Sequence, residues 1–326
     1  MSENKFLQTV KSKLKSIIPD PVLEILYSIR LNHRIWLFLP YYYLFGRKNN
    51  KYFLCRPRGG LNDILNRIEV CYRYCIKYGR KLYVDTSRSG FLDSFEKYFI
   101  SPPYISFKKI DAIQYPVSVF PNDLRNDIYD YEVELFENSK YKTKGGSMLS
   151  IDLNKNYKEQ YLVYESMGGG ELSYYFIKRC KLDEAIRLHI VSLIKNLGSY
   201  AAIHIRNTDY HTDYKKFLEA LNKIILHNKI IICTDDYDVQ QYSKSLFGNR
   251  IVIPTKIPNL NGKSLHDNPS LDRYKTNIDA LADLFILACS DKLHITMTNE
   301  GLYSGFGLLA MKLHKNKKIV NSLLYA

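Results

Sequence analysis

The chain has 326 residues, 46% of them hydrophobic and 25% charged, a balance that excludes a disordered or fibrous protein. At this length a single hydrophobic core usually stops growing, so two domains are expected. Forty-seven Lys and Arg against 33 Asp and Glu leave a formal charge of +14, which inclines the molecule towards phosphates, anionic lipid or nucleic acid without choosing among them.

Residues 1 to 51 hold nine Lys/Arg and three Asp/Glu. No apolar stretch followed by a small-residue cleavage site marks a secretory leader, so a cytoplasmic protein is expected. The apolar run from Ile35 to Phe45 is interrupted by Pro40 and is shorter than the roughly 20 residues a spanning helix needs. With Trp36 and the tyrosines at 41 to 43, this basic segment reads either as a helix packed on its domain or as a peripheral contact with the inner face of an anionic membrane.

A strand at 52 to 55, a glycine loop, a helix from Asn62 to Tyr78 and a strand at 81 to 85 open the first half. Residues 100 to 165, rich in Tyr, Asn, Lys and Asp, read as edge strands and loops of weak register. A helix from Asp183 to Asn196, with Asp183 as N-cap and Gly198 as stop, places the boundary near 180, giving domains 1–180 and 181–326. The second half alternates short β-branched runs with helical stretches: strands at 201–205, 229–233, 250–253, 293–296 and 318–320, and helices at 214–226, 238–246, 273–289 and 303–314. The expected fold is α/β, with two Rossmann-like domains facing a cleft in the GT-B manner. The six cysteines, Cys55, Cys71, Cys75, Cys180, Cys233 and Cys289, form no CxxC pair and read as reduced core residues.

Two segments carry candidate chemistry. The run from Arg56 to Asp63 (RPRGGLND) lies between a strand and a helix, where glycines admit a ligand close to the backbone and the helix end attracts anions. An ordinary turn would have the same composition. The run from His204 to Tyr210 (HIRNTDY) stands at the carboxyl end of a strand, where open α/β sheets bind ligands. There the planar fork of Arg206 can hold phosphate oxygens and stabilise a departing diphosphate. His204 is either a ligand or a satisfied core histidine, and Asp209 either an acid-base group or the cap of the next helix. The glycines at 168 to 170 read as a mobile loop in preference to a hinge, and the run from Thr298 to Gly301 as a turn or a diphosphate contact.

The run HIRNTDYHTDY resembles the His-x-Arg-x-x-Asp motif of the fucosyltransferase superfamily, which spans α1,6-type, nodulation-type and protein O-fucosyltransferases. Three further runs follow in order: RPRGGLNDILNRIEVCYRYCIKYGRKLYVDTSRSGF is similar to the nodulation enzymes' glycine loop and helix, IIICTDD to the Thr-Asp-Asp strand end, and SGFGLLA to the C-terminal serine segment. The resemblance covers about residues 50 to 90 and 200 to 320. It implies a bacterial, metal-independent, inverting glycosyltransferase that uses GDP-fucose; a cytoplasmic enzyme of that kind with a basic, aromatic N-terminus fits assembly of surface polysaccharide such as O-antigen or capsule, or glycolipid. It also implies a carbohydrate or lipid-linked glycan acceptor, and donor contacts from Gly59, Gly60, Asn62, His204, Arg206, Asp235, Asp236, Ser304, Gly305 and Phe306.

The chain departs from that pattern at two positions. Asn207 stands where many members have a second arginine, so transfer from another nucleotide sugar stays open. Tyr214 stands at the position of the glutamate base of α1,6-type members, so the catalytic base is Asp209 or Asp213, or Asp63 from across the cleft. A non-catalytic basic adaptor for membrane or nucleic acid is the alternative class, although no nucleic-acid-binding signature accompanies the charge.

Overall fold

A computed structural model describes residues 50–111, 113–137, 139–260 and 271–325. The basic, aromatic segment read above as a helix or membrane contact lies outside the described residues, as does most of the polar loop around Gly262 and Pro269. No helix among the described residues is long and apolar enough to cross a membrane.

The first half is built on β1 (Tyr52–Pro57), α1 (Leu61–Tyr78) and β2 (Lys81–Val84). Helix α1 forms because Leu61, Ile64, Leu65, Ile68, Cys71, Tyr72, Cys75 and Ile76 recur at helical spacing and are all buried. Gly79 ends it in the left-handed region at φ 67°, its N–H donating to the Cys75 carbonyl. Short strands β3 (Phe99–Ile100), β4 (Ile105–Ser106), β5 (Val119–Phe120), β6 (Val133–Leu135) and β7 (Tyr141–Thr143) precede β8 (Tyr161–Ser166). The order β4-β2-β1-β8-β5 makes one parallel five-stranded sheet.

The weak-register reading of 100 to 165 is corrected by β8, which is a central strand paired with β1 along six residues and buried throughout. Its tyrosines hid it. Tyr161 stacks on Tyr52 with ring centroids 5.0 Å apart, and Tyr164 packs against Phe53 at 6.0 Å, so both faces of this strand bury aromatic surface. Helix α1 covers one face of the sheet. Ile110, Val117, Leu124, Ile128 and Leu149, from the irregular chain, close the other.

After α2 (Leu172–Ile177) and β9 (Lys181–Leu182), helix α3 (Glu184–Leu197) begins at the Asp183 cap, which accepts from the N–H groups of Ala185 and Ile186. The second half runs through β10 (Ala201–Ile205), α4 (Tyr214–Ile224), β11 (Ile230–Thr234), α5 (Tyr237–Phe247), β12 (Ile251–Val252), α6 (Arg273–Cys289), β13 (Lys292–Ile295), α7 (Gly305–Lys315) and α8 (Lys317–Leu324). Its four strands form a parallel sheet in the order β12-β11-β10-β13. Ala201, Ile203 and Ile205 pack under Leu218, Leu221 and Val239 of α4 and α5. Ala202, Ile231 and Cys233 join Leu281, Leu284 and Phe285 of α6 on the other face.

The strand expected at 318–320 is instead part of α8. Ile319 and Val320 are β-branched, but Val320, Leu323 and Leu324 share one helical face and are buried, so tertiary packing overrides local strand preference.

The core that α1 covers is continuous with the one beneath α6, α7 and α8. Polar contacts join the halves as well: the Asn277 amide of α6 donates to the Phe91 carbonyl at 2.9 Å and to the Tyr98 hydroxyl at 3.0 Å, and Lys312 of α7 pairs with Glu171 at 3.0 Å. Asn62, 4% exposed, donates to Ser173 Oγ at 2.8 Å and accepts from the Gly170 N–H at 2.9 Å. A side chain on Gly305 would meet the same amide at about 2.9 Å. Replacing Asn62 by Ala strands the Gly170 N–H and opens a gap between α1 and α7. Chemical denaturation is expected to read a loss of about 2–3 kcal/mol; a loss below about 0.5 kcal/mol would show the contact to be dispensable.

Candidate active site

In each sheet the chain reverses its direction of travel beside the first strand, and open α/β sheets bind ligands at the carboxyl ends around such a point. In the second sheet that point lies between β10 and β13. A cavity of about 450 Å³ opens there, lined by Thr212, Asp213, Phe217, Thr296, Thr298 and Tyr303 among others.

Arg206 follows β10 directly. Its Nε and Nη2 donate to the two oxygens of Asp209 at 2.6 and 2.7 Å, and its Nη1 pairs with Asp235 at 3.0 Å. Burial works against the guanidinium charge, but Asp235 and Asp209 outweigh it and hold the pKa above its ordinary value. Asp209 therefore does not cap α4. That role falls to Asp213, which accepts from the Lys216 N–H and also lines the cavity.

Asp235, at the end of β11, accepts further from the Asn207 N–H at 3.0 Å and the Thr208 hydroxyl at 2.5 Å. Asp236 caps α5 through the Asp238 N–H at 2.7 Å and accepts from the Asn207 side chain at 2.7 Å. Asn207 completes the lattice by accepting from both the N–H and the hydroxyl of Thr212 at 3.0 Å. The loop from 206 to 212 is thus folded around its own carboxylates and amide. Among the described residues no group of three or more His, Cys, Asp or Glu is arranged to hold a metal ion.

His204 is 6% exposed and has partners on both ring nitrogens. Nδ1 faces the Cys233 carbonyl at 3.2 Å, which can only accept, so Nδ1 carries the proton. Nε2 then accepts from the Ser304 hydroxyl at 3.0 Å, and Ser304 Oγ in turn accepts the Gly307 N–H that caps α7. Burial pushes the imidazole pKa down to about 4, against the pull of Asp235 and with help from Arg206, so the ring is neutral at physiological pH. Phe306 packs beside the ring at 5.2 Å between centroids. The close approach depends on Gly307, where a Cβ would stand 3.0 Å from the imidazole. The turn from Thr298 to Gly301 folds onto the Arg206 loop, the Asn299 N–H donating to the His211 carbonyl at 2.9 Å.

The corresponding point of the first sheet lies between β1 and β8. Gly59, at φ 82°, and Gly60, the N-cap of α1, follow β1, and the glycines at 168 to 170 follow β8. The latter are a tied loop and not a mobile one: Asn66 donates to the Gly168 carbonyl at 2.9 Å, and Asn62 holds Gly170. Asp63 lies between the two loops, where burial raises its pKa against the N–H groups of Gly60 and Gly168. Arg56 and Arg58 stand at the same edge, joined by Arg88 and Glu165. The motif reading passed over Arg88 and Glu165, although a fully polar end to an otherwise apolar strand was a signal for the second.

One further buried group escaped the sequence reading. Asp283 sits within the apolar run of α6 and accepts from the Thr255 hydroxyl at 2.8 Å. A lone acid in an apolar helical stretch was its signature.

No family model and no curated protein matches the chain. Solved structures do. Fucosyltransferase NodZ from Bradyrhizobium aligns with a TM-score of 0.54 at 17% identity, covering 81% of this chain and 92% of the other. NodZ alpha-1,6-fucosyltransferase co-crystallized with GDP aligns at 0.55 with the same identity and coverage, and the form soaked with GDP-fucose at 0.53. The chain shares its fold with NodZ. The mixed α/β layers with parallel sheets and the likeness to NodZ agree with the GT-B expectation.

Burial raises the Asp283 pKa to about 7, Thr255 and Cys233 opposing it. The folded state then holds this proton more tightly than the unfolded chain, so the stability it contributes at low pH is lost as pH rises from about 4 through about 7. Asp283→Asn is expected to stabilise the protein at pH 8 by up to about 4 kcal/mol and to have little effect at pH 4. Parallel thermal melts of both proteins from pH 4 to 8 check this, and a difference between them that does not change with pH would overturn the assignment.

Proposed function

We propose that the chain is an inverting glycosyltransferase that moves fucose from GDP-fucose to a hydroxyl of a carbohydrate or lipid-linked glycan in bacterial surface polysaccharide or glycolipid assembly. The observation that carries this reading is the NodZ fold over 81% of the chain, with Arg206 at the end of β10 and a cavity lined by Thr212 and Asp213 of the loop that follows the same strand. In this reading residues 1–180 form the acceptor-side domain and 181–326 the donor domain, facing one another across a cleft. Gly59 and Gly60 approach the donor from one side, with Arg206, Asp235, Asp236 and the Ser304–Phe306 helix start on the other; the buried Asn62 amide, taken up by Ser173 and Gly170, packs the two sides together and is not a donor contact.

The acceptor oxygen forms a bond to the sugar's anomeric carbon as the bond from that carbon to the diphosphate oxygen breaks. The electron pair leaves with GDP, the configuration inverts, and the acceptor proton passes to a carboxylate. Arg206 neutralises the charge that develops on the leaving diphosphate, which competes with the half-exposed Asp209 for the guanidinium fork. Asp213 is the better base of the pair, because it lines the cavity while Asp209 is held in a two-point pair with Arg206. His204 acts through Ser304, whose hydroxyl it orients at the start of α7. Turnover is metal-independent in this reading, since Asp235 and Asp236 are occupied by Arg206, Asn207, Thr208 and the α5 cap. Catalysis at the cytoplasmic face of the membrane completes the proposal.

Asn207 favours a second reading, transfer from another nucleotide sugar. It removes a positive charge beside the diphosphate and uses its amide to bind Asp236 and Thr212. Calorimetric titration with GDP, UDP and CMP separates the two. GDP is expected to bind most tightly, and Arg206→Ala to weaken it roughly 10- to 100-fold. Tighter UDP or CMP binding replaces fucose, and no nucleotide binding returns the chain to a non-catalytic adaptor.

Once an acceptor is in hand, Asp213→Asn is expected to lower kcat at least about 100-fold with GDP affinity unchanged, and excess EDTA to leave the rate unchanged. An unaltered kcat in the variant moves the base to Asp209 or Asp63, and a loss of activity that added metal restores defeats metal independence.

A further inference from the structure

Three guanidiniums gather at the carboxyl edge of the first sheet. Arg56 is the penultimate residue of β1, Arg58 follows the strand, and Arg88 comes from the loop after β2. Arg56 pairs with Asp85 at 2.8 Å and donates to the Tyr129 carbonyl at 2.9 Å. Arg58 directs both its Nε, at 2.5 Å, and its Nη2 to Glu165 Oε1. Arg88 donates to the Tyr131 carbonyl at 2.7 Å but reaches Glu165 only at 3.8 Å. The second oxygen of Glu165 is taken by the Tyr131 hydroxyl at 2.8 Å. Two carboxylates thus serve three guanidiniums, and Arg88 is the cation left with the weakest ionic partner.

A scaffold has no use for the surplus. An uncompensated charge in a low-dielectric site is costly, and a purely structural cluster would be at least as stable with two arginines. Arg56 is 4% exposed and its Nε has no hydrogen-bond partner. Burial lowers the Arg88 pKa, and the like charges of Arg56 and Arg58 add to the effect against Glu165 and Tyr131. The cluster is not sealed: the side chains of Arg58 and Arg88 keep 21% and 23% of their exposure. It adjoins the Gly59–Gly60 turn, where α1 begins without a side-chain cap, and the helix end adds its partial positive charge. Gly90 brings the Arg88 loop against that turn, its N–H donating to the Gly59 carbonyl at 2.8 Å.

From this we infer that the Arg58–Arg88 edge is an anion subsite for the acceptor, so that the glycan to be modified carries a negative charge, as a uronic-acid carboxylate or a sugar phosphate. The inference rests on the glycosyltransferase reading and specifies its acceptor. A single anion restores neutrality to the cluster, and the adjoining Gly59 turn, tied to the Arg88 loop through Gly90, leaves backbone rather than side chain beside it.

The test is calorimetric titration of the full chain, with and without saturating GDP, using methyl glucuronide, glucose 1-phosphate and neutral methyl glucoside as probes. The charged sugars are expected to bind about tenfold or more tightly than the neutral one, and whichever charged sugar is tighter identifies the source of the anion. Arg88→Gln is expected to abolish the preference while GDP affinity stays intact, and Arg88→Lys to retain most of it. Should Arg88→Gln fail to fold, loss of the preference in Arg88→Lys counts against a simple charge site. Equal affinity for charged and neutral sugars overturns the inference, as does a preference that survives Arg88→Gln or vanishes in Arg206→Ala. Absence of GDP binding alongside a preference dependent on Arg88 would defeat the nucleotide-sugar reading and leave the anion subsite standing.

Discussion

The packing of the two sheets depends on the buried amide of Asn62. It is the second residue of α1, so the helix fixes its direction, and its oxygen and nitrogen are shared with Gly170 and Ser173. A side chain at Gly169 or Gly305 would collide with it. One polar group thus requires small residues on two other segments: the loop after β8 and the start of α7. In return it draws the carboxyl edge of the first sheet against the helix that caps the second. The glycines of this region are there because backbone must approach an amide, and their conformational freedom follows as a consequence.

From that junction the charge chemistry divides into two unlike clusters. Around Arg206 the cation is fully matched: Asp209 takes two of its nitrogens and Asp235 the third. Asp235 also gathers Asn207 and Thr208, so the shape of the loop does not rest on the more exposed Asp209. Around Arg88 the cations outnumber the carboxylates. On the proposed function, the first arrangement exchanges one anion for another and the second takes up the one it is short of, which suits a leaving diphosphate that departs after reaction and an acceptor attracted before it.

The parts of the fold legible in the sequence are those governed by local rules. Strand β10 and helix α6 were bounded to the residue, because each is a run of one period with a clear stop. Asp183 was readable as a cap for the same reason. What failed was decided at long range. Strand β8 looked polar because its tyrosines satisfy their surface only by stacking on β1. The segment at 318–320 looked extended until α6 and α7 supplied a face for Val320 and Leu323 to bury against. The sequence offers Asp209 as the cap of the next helix, and only the position of the guanidinium shows that Asp209 is engaged elsewhere and that Asp213 caps α4. Glu165 and Arg88 are 77 residues apart in the chain, so no local window could join them.

The same division explains how a likeness of fold persists at 17% identity where family models find nothing. Core positions accept any apolar side chain of suitable volume, so the strands and helix faces retain their pattern while their letters drift. The carboxyl ends of the strands are not free in that way. A carboxylate must meet the backbone N–H of Asn207, a hydroxyl must stand between His204 and the Gly307 N–H, and an amide must fit between two glycine loops. Each demand fixes a residue type at one place in a short run. The four runs that resemble the fucosyltransferases therefore coincide with three strand ends and one helix start.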